Sequence, residues 1–179
     1  MKKVFGVLVA AALVVVGCTQ APPPAEAPAA PDMQPYANLA QLMRGIPFPA
    51  SNIIFDAQTN DPGAVAEPGD SGGGAVSQYG GIYGGWQGVE NAALSLQEVS
   101  NLLLIPGRLC ENGKPVPSDQ ADFQMWAQGL ADAGGEALKA AQAQDLDAML
   151  DVAGTMSDAC LLCHEKYRDV PDNADRCTP

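Results

Sequence analysis

"DACLLCHEKYRDV", residues 158–170, sets two cysteines three positions apart, with a histidine directly after the second. Such a group can hold zinc, run dithiol chemistry or anchor a haem. A structural zinc takes four ligands. Cys160, Cys163 and His164 offer three, leaving Cys110 or Cys177 to supply the fourth. Adjacent residues on a helix point about 100° apart, so Cys163 and His164 fit a compact tetrahedron poorly. A dithiol catalyst carries its Cys-x-x-Cys at a helix N-terminus beside a β-α-β unit. Here the pair falls late in a helical pattern, and no strand pattern accompanies it. Covalent c-type haem uses every residue of the group. Two thiols add to the vinyl groups and the histidine binds the iron axially. Cys160 and Cys163, one turn apart, reach one edge of the porphyrin while His164 comes under its centre. One haem c is the expected cofactor.

Working outward, four segments repeat their apolar residues at steps of three and four. The first runs from Tyr36 to about Ala57, with Tyr36, Leu39, Met43 and Ile46 on one face. Pro47 and Pro49 interrupt it, because proline lacks an amide donor and clashes with the preceding turn. Ser51 or Asn52 is the candidate cap for its continuation. The second, Trp86 to Leu104, aligns Val89, Ala93, Leu96 and Leu103. The third, capped at Ser118 or Asp119, aligns Phe123, Trp126, Leu130, Ala133, Ala137 and Ala141. Gly129, Gly134 and Gly135 weaken it by about 1 kcal/mol each relative to alanine. The fourth starts near Asp145 and carries Met149, Ala153, Met156, Cys160, Cys163 and Tyr167. The expected fold is all-α, an antiparallel up-down-up-down four-helix bundle with haem on its C-terminal helix. A Gly-rich connection, residues 58–85, joins the first two helices. At this length it reads as a functional or mobile loop, and Tyr79, Tyr83 and Trp86 on its border are candidates to cover a haem edge.

The N-terminal end reads differently. Lys2 and Lys3 precede an apolar run from Val4 to Val16 that ends at Gly17-Cys18. A basic start and an apolar run too short to span a bilayer, which takes about 20 residues, make 1–17 a secretory leader. Val15-Val16-Gly17-Cys18 resembles a bacterial lipobox, which implies lipidation at Cys18 and an oxidising, extracytoplasmic compartment. Residues 18–35 hold the lipidated cysteine and a Pro/Ala-rich spacer with no apolar period. The expected localisation is the periplasm, on either membrane, with residues 36–179 as the folded domain. The formal net charge of −12 is no nucleic-acid footprint. It points to redox partners with a basic docking surface, and a homodimer stays open.

The placement of "CLLCHEKYR" on the last helix is similar to cytochrome c′ and its low-spin relatives. Their pattern is Cys-x-x-Cys-His-x-x-Tyr-Arg at the end of an all-helical bundle, and Tyr167 and Arg168 match it. "AQDLDAML", leading into the haem helix, is also similar. The resemblance is closest over residues 118–169, weaker in the second helix and weakest in the first. It implies that the first helix supplies the distal residue: methionine in low-spin members, an apolar residue in five-coordinate members that bind NO or CO. Soluble cytochromes with an N-terminal haem motif and a downstream methionine are excluded, because only 15 residues follow His164.

His164 is the only histidine, so the sixth iron position is a methionine, another residue or open. Met1 is lost with the leader, Met33 lies in the spacer, and Met149 and Met156 share the haem helix. Met125 shares its row with Gly129, Asp132 and Glu136, a polar face, whereas Met43 shares its row with Leu39 and Ile46. Met43 is therefore the expected ligand, with core packing as the alternative. Leu39 stands where the family carries an arginine, leaving Arg44 or Arg108 for the propionates. Arg168, one turn beyond His164, is either a proximal-side residue or a helix-end cation. Tyr167 reads as packing.

Cys110 and Cys177 remain as an even pair in an oxidising compartment. They follow helices that run parallel in an up-down-up-down bundle, so a disulfide between them is expected. No nucleophile–base pair or paired carboxylates can be placed in a cleft, so no enzyme is expected. The reading is a monohaem c-type cytochrome carrying single electrons between extracytoplasmic partners; the alternative is a five-coordinate haem protein that binds NO or CO.

Overall fold

The computed structural model describes residues 33–64 and 83–178. The leader 1–17, Cys18, the spacer up to residue 32 and most of the Gly-rich connection, with Tyr79, lie outside the described residues. The described chain is helical, and its helices pack as a bundle around one core: α1 (Leu39–Gly45), α2 (Pro47–Asp56), α3 (Gly85–Leu103), α4 (Ala121–Ala143) and α5 (Leu146–Tyr167), followed by a 3₁₀ turn at Asn173–Asp175. Among the described residues no strand forms; one isolated bridge pairs Leu109 with Pro115. No described helix is long and apolar enough to cross a membrane.

The first segment is two helices, and its break differs from the expected one. α1 starts at a capping box: the Asn38 side chain accepts from the Gln41 amide at 2.8 Å, and the Gln41 side chain accepts from the Asn38 amide at 3.0 Å. Tyr36 therefore precedes the helix and is fully exposed, and the residue α1 buries is Leu42. Ile46, at φ −127° and ψ −66°, ends α1 and starts α2. Pro47 and Pro49 fall in the first turn of α2, where amides have no intrahelical acceptor and a missing donor costs nothing. The prolines open the second helix, so Ser51 and Asn52 are not its caps. Both side chains donate to the Phe48 carbonyl inside the helix, at 3.2 and 2.6 Å.

α3, α4 and α5 carry their apolar stripes into one core. Val89, Ala93, Leu96 and Val99 of α3 meet Ala133, Ala137 and Ala141 of α4, and Met149 and Met156 of α5 are fully buried. Gly134 lies directly against the α3 backbone. A Cβ built there would sit 3.0 Å from the Gln97 amide nitrogen and 3.1 Å from the Ala93 carbonyl. The cap of α4 is Gln120 rather than Ser118 or Asp119, and its side chain makes no capping bond. α4 ends at Gln144 in the left-handed conformation, φ 53°. Asp145 then caps α5 by accepting from the Ala148 amide at 3.0 Å.

Candidate functional site

α5 presents Cys160, Cys163, His164 and Tyr167 on the side that faces the other helices, as their spacing of three and four requires. A cavity of about 500 Å³ opens along this face. Its size falls in the range of about 300–1,000 Å³ usual for cofactor and ligand sites. Met43, Arg44, Phe48 and Phe55 of α1 and α2 line it, with Phe123, Trp126 and Leu130 of α4. Cys110, Glu111, Arg176 and Cys177 close it from the link after α3 and from the tail. The cavity thus brings Met43, Cys160, Cys163, His164 and Arg168 together.

The methionines separate by environment. Met43 is half-buried on the cavity wall. Met125 is 61% exposed, Met33 is 55% exposed, and Met149 and Met156 are in the core. Among the described residues Met43 is the methionine that lines the cavity. Tyr83 and Trp86 do not border it; Trp86 packs near Gly63 and Tyr83 is exposed.

Both motif thiols are free and half-buried. Burial pushes the Cys160 thiol up and the Cys163 thiol to about 11; the neighbouring Cys160 and the Asp122 carboxylate add to the latter shift. Both therefore stay protonated at neutral pH, the reverse of a dithiol catalyst, whose attacking cysteine has a lowered value. Burial, and then the Arg168 guanidinium, pull the His164 imidazole below its ordinary value, which keeps it neutral with a ring nitrogen free to coordinate. Among the described residues no three His, Cys, Asp or Glu side chains converge as a metal site, and Cys110 and Cys177 are bonded to each other. The two cysteines considered as a fourth zinc ligand are thus taken up by the disulfide.

The site has an anchor that the sequence did not reveal. Asp122, in the first turn of α4, accepts from the Tyr167 hydroxyl at 2.7 Å and from Lys166, tying the end of α5 to the start of α4. Lys166, then Tyr167, hold the Asp122 carboxyl below the usual carboxylate range. The Tyr167 ring packs edge-on against Phe123 at 5.6 Å and Trp126 at 5.8 Å. Tyr167 is packing with a polar tether, in direct register with Cys163. No local signal marks Asp122; only its contact with a residue 45 positions away does.

Arg168 borders the cavity but gives its guanidinium to Asp169, in two hydrogen bonds of 2.7 and 2.9 Å. Arg108 does not reach the cavity. It is 4% exposed and donates to the Ala37 and Leu102 carbonyls at 2.6 and 2.9 Å, which removes it as a propionate partner. The disulfide Cys110–Cys177 joins positions 67 apart, with Cα atoms at 6.6 Å, both half-cystines buried.

The donor set and its surroundings fit a c-type haem: two neutral thiols one turn apart, a neutral imidazole, a thioether on another helix and an apolar wall. Fold and site together define a helical protein built around a Cys-x-x-Cys-His cavity. Compared with known protein families, curated proteins and solved structures, the chain matches none.

Proposed function

We propose that the chain is a monohaem c-type cytochrome that passes single electrons between extracytoplasmic partners. The observation that carries this reading is the cavity. Cys160, Cys163 and His164 share it with Met43, which stands 121 positions before His164 in the chain. Haem, when bound, supplies a one-electron iron couple whose potential follows its axial ligands and surroundings. The chain's part is to hold and shield it. Cys160 and Cys163 provide the two thioether links, His164 the proximal nitrogen and Met43 the distal sulfur. Phe55, Phe123, Trp126 and Leu130 exclude water. The Tyr167–Asp122–Lys166 tether keeps the α5 side chains in register with α4.

In this reading α1 and α2 together form the first of four antiparallel helices in an up-down-up-down bundle, as the resemblance to cytochrome c′ implies. In this reading the leader and Cys18 would carry the domain outside the cytoplasm on a lipid anchor, at the end of the Pro/Ala spacer. Its net charge of −12 steers it toward a partner with a basic face. The second reading, an open distal site that takes NO or CO, draws on the apolar character of the remaining α1–α2 wall, with Leu39, Phe48 and Phe55.

The test is an absorption spectrum of the purified protein, oxidised and reduced, with and without CO. Sharp reduced bands that ignore CO support His164–Met43 ligation and electron transfer. A high-spin spectrum that shifts with CO supports the second reading. Purified protein without covalent haem refutes both.

A further inference from the structure

Two guanidiniums at the cavity rim share one carboxylate. Arg44 of α1 reaches Glu111 Oε1 at 3.4 Å, and Arg176 of the tail stands 3.9 Å from Glu111 Oε2. All three residues line the cavity. The other two arginines are committed elsewhere, Arg168 to Asp169 and Arg108 to backbone carbonyls. One carboxylate against two guanidiniums leaves net positive charge at the edge of an apolar cavity, in a chain whose overall charge is −12. Such long, solvent-exposed ion pairs add little to stability, so fold stability does not account for the arrangement.

The placement of the pair is built into the covalent frame. Glu111 directly follows Cys110 and Arg176 directly precedes Cys177, so the disulfide brings the two residues to one place. Arg176 Nε donates to the Arg168 carbonyl at 2.9 Å. Asn112 holds the same tail by donating to the Arg176 carbonyl at 3.0 Å.

We propose that Arg44 and Arg176 receive the two carboxylates of the bound tetrapyrrole, and that the Cys110–Cys177 bridge and Glu111 position them. The proposal rests on the haem reading above. Thioether links at the vinyl groups and an axial bond at the iron leave the two propionates as the free anionic groups of the cofactor. A carboxylate at an apolar cavity edge needs a cation, and the planar guanidinium matches its two oxygens. The 3.4 and 3.9 Å contacts to Glu111 are loose enough to give way to such a pair.

The experiment is a potentiometric titration of the haem-loaded protein between about pH 5 and pH 9, after covalent haem has been measured as its pyridine complex. R44Q and R176Q each remove a positive charge that favours the reduced iron. Each is expected to lower the reduced-to-oxidised ratio at fixed potential about three- to tenfold, which for a one-electron couple is about 30–60 mV. Each should also steepen the pH dependence as the freed propionate titrates. E111Q is expected to shift the potential the opposite way. The C110A/C177A variant should reproduce the R176Q shift and add little on top of it. Arginine variants that stay within twofold of wild type, or an equal shift from K139Q on the exposed side of α4, overturn the assignment. A C110A/C177A protein that melts earlier but keeps its potential overturns the positioning role of the bridge. Wild-type protein without covalent haem fails the haem reading itself, a separate result read before any titration.

Discussion

Removing the Cys110–Cys177 bridge should lower stability chiefly through the unfolded chain. The bridge joins positions 67 apart, and on the chain-entropy relation a loop of that length restricts the unfolded state by about 4 kcal/mol. In the folded state little is lost by substituting alanine. The tail is also held by Asn112, which donates to the carbonyls of Asn173, Ala174 and Arg176, and by the Cys177 amide, which donates to Tyr167 at 3.0 Å. C110A/C177A is therefore expected to unfold about 2 M earlier in urea, at a slope of about 2 kcal/mol per M. Because the change lies in the unfolded state, the variant's slope should also rise, as a chain released from its cross-link exposes more surface. The assay is urea unfolding followed by far-ultraviolet ellipticity, with wild type run oxidised and reduced. A midpoint shift under about 0.5 M with an unchanged slope would refute the reasoning, and would mean that the unfolded chain is already compact around this loop.

Met43→Leu keeps volume and should cost under about 1.5 kcal/mol of stability; on the proposed haem reading it should also open the iron to CO, read as a shift in the reduced spectrum. Asp122 has a depressed folded pKa, so its contribution is complete above the ordinary carboxylate value of about 4 and is lost as pH falls through the folded value. Asp122→Asn should therefore flatten the acid arm of the stability profile, measured by urea unfolding from about pH 2 to pH 6. Gly134→Ala pushes a methyl against the α3 backbone and should cost about 1–3 kcal/mol. Gly129→Ala meets nothing within 4 Å and should gain up to about 1 kcal/mol from helix propensity; thermal melts of the pair check both signs.

The long helices were readable because their burial is periodic: Val89, Ala93, Leu96 and Leu103, and likewise Ala133, Ala137 and Ala141, all face the core. Met43 was separable from Met125 for the same reason, since helical phase tells a buried row from a polar one. Features that depend on contact between distant segments left no local mark. Asp122 looks like an ordinary first-turn acid, and only the approach of Tyr167 makes it a tether. Arg108 and Arg44 were equal candidates until burial separated them. By sequence alone Pro47 and Pro49 signal a break within a helix under way, but the break lies at Ile46, and proline is as compatible with a first turn as it is hostile to an interior one. Gly134 carries a propensity penalty in isolation and permits a close helix crossing in context.

The break at Ile46 has a dynamic consequence. It leaves Met43 on a helix of seven residues, well below the roughly 12–15 at which a helix holds on its own in water. Leu42 in the core, the Asn38 cap and the Leu39 amide bonded to Leu109 at 2.8 Å keep it in place. It is therefore expected to open as its own unit and to exchange its amide hydrogens at a lower free energy than α3, α4 and α5, which native-state hydrogen exchange checks. His164 rides on the long α5 and Met43 on this short segment, so the two walls of the cavity are expected to answer to different clocks.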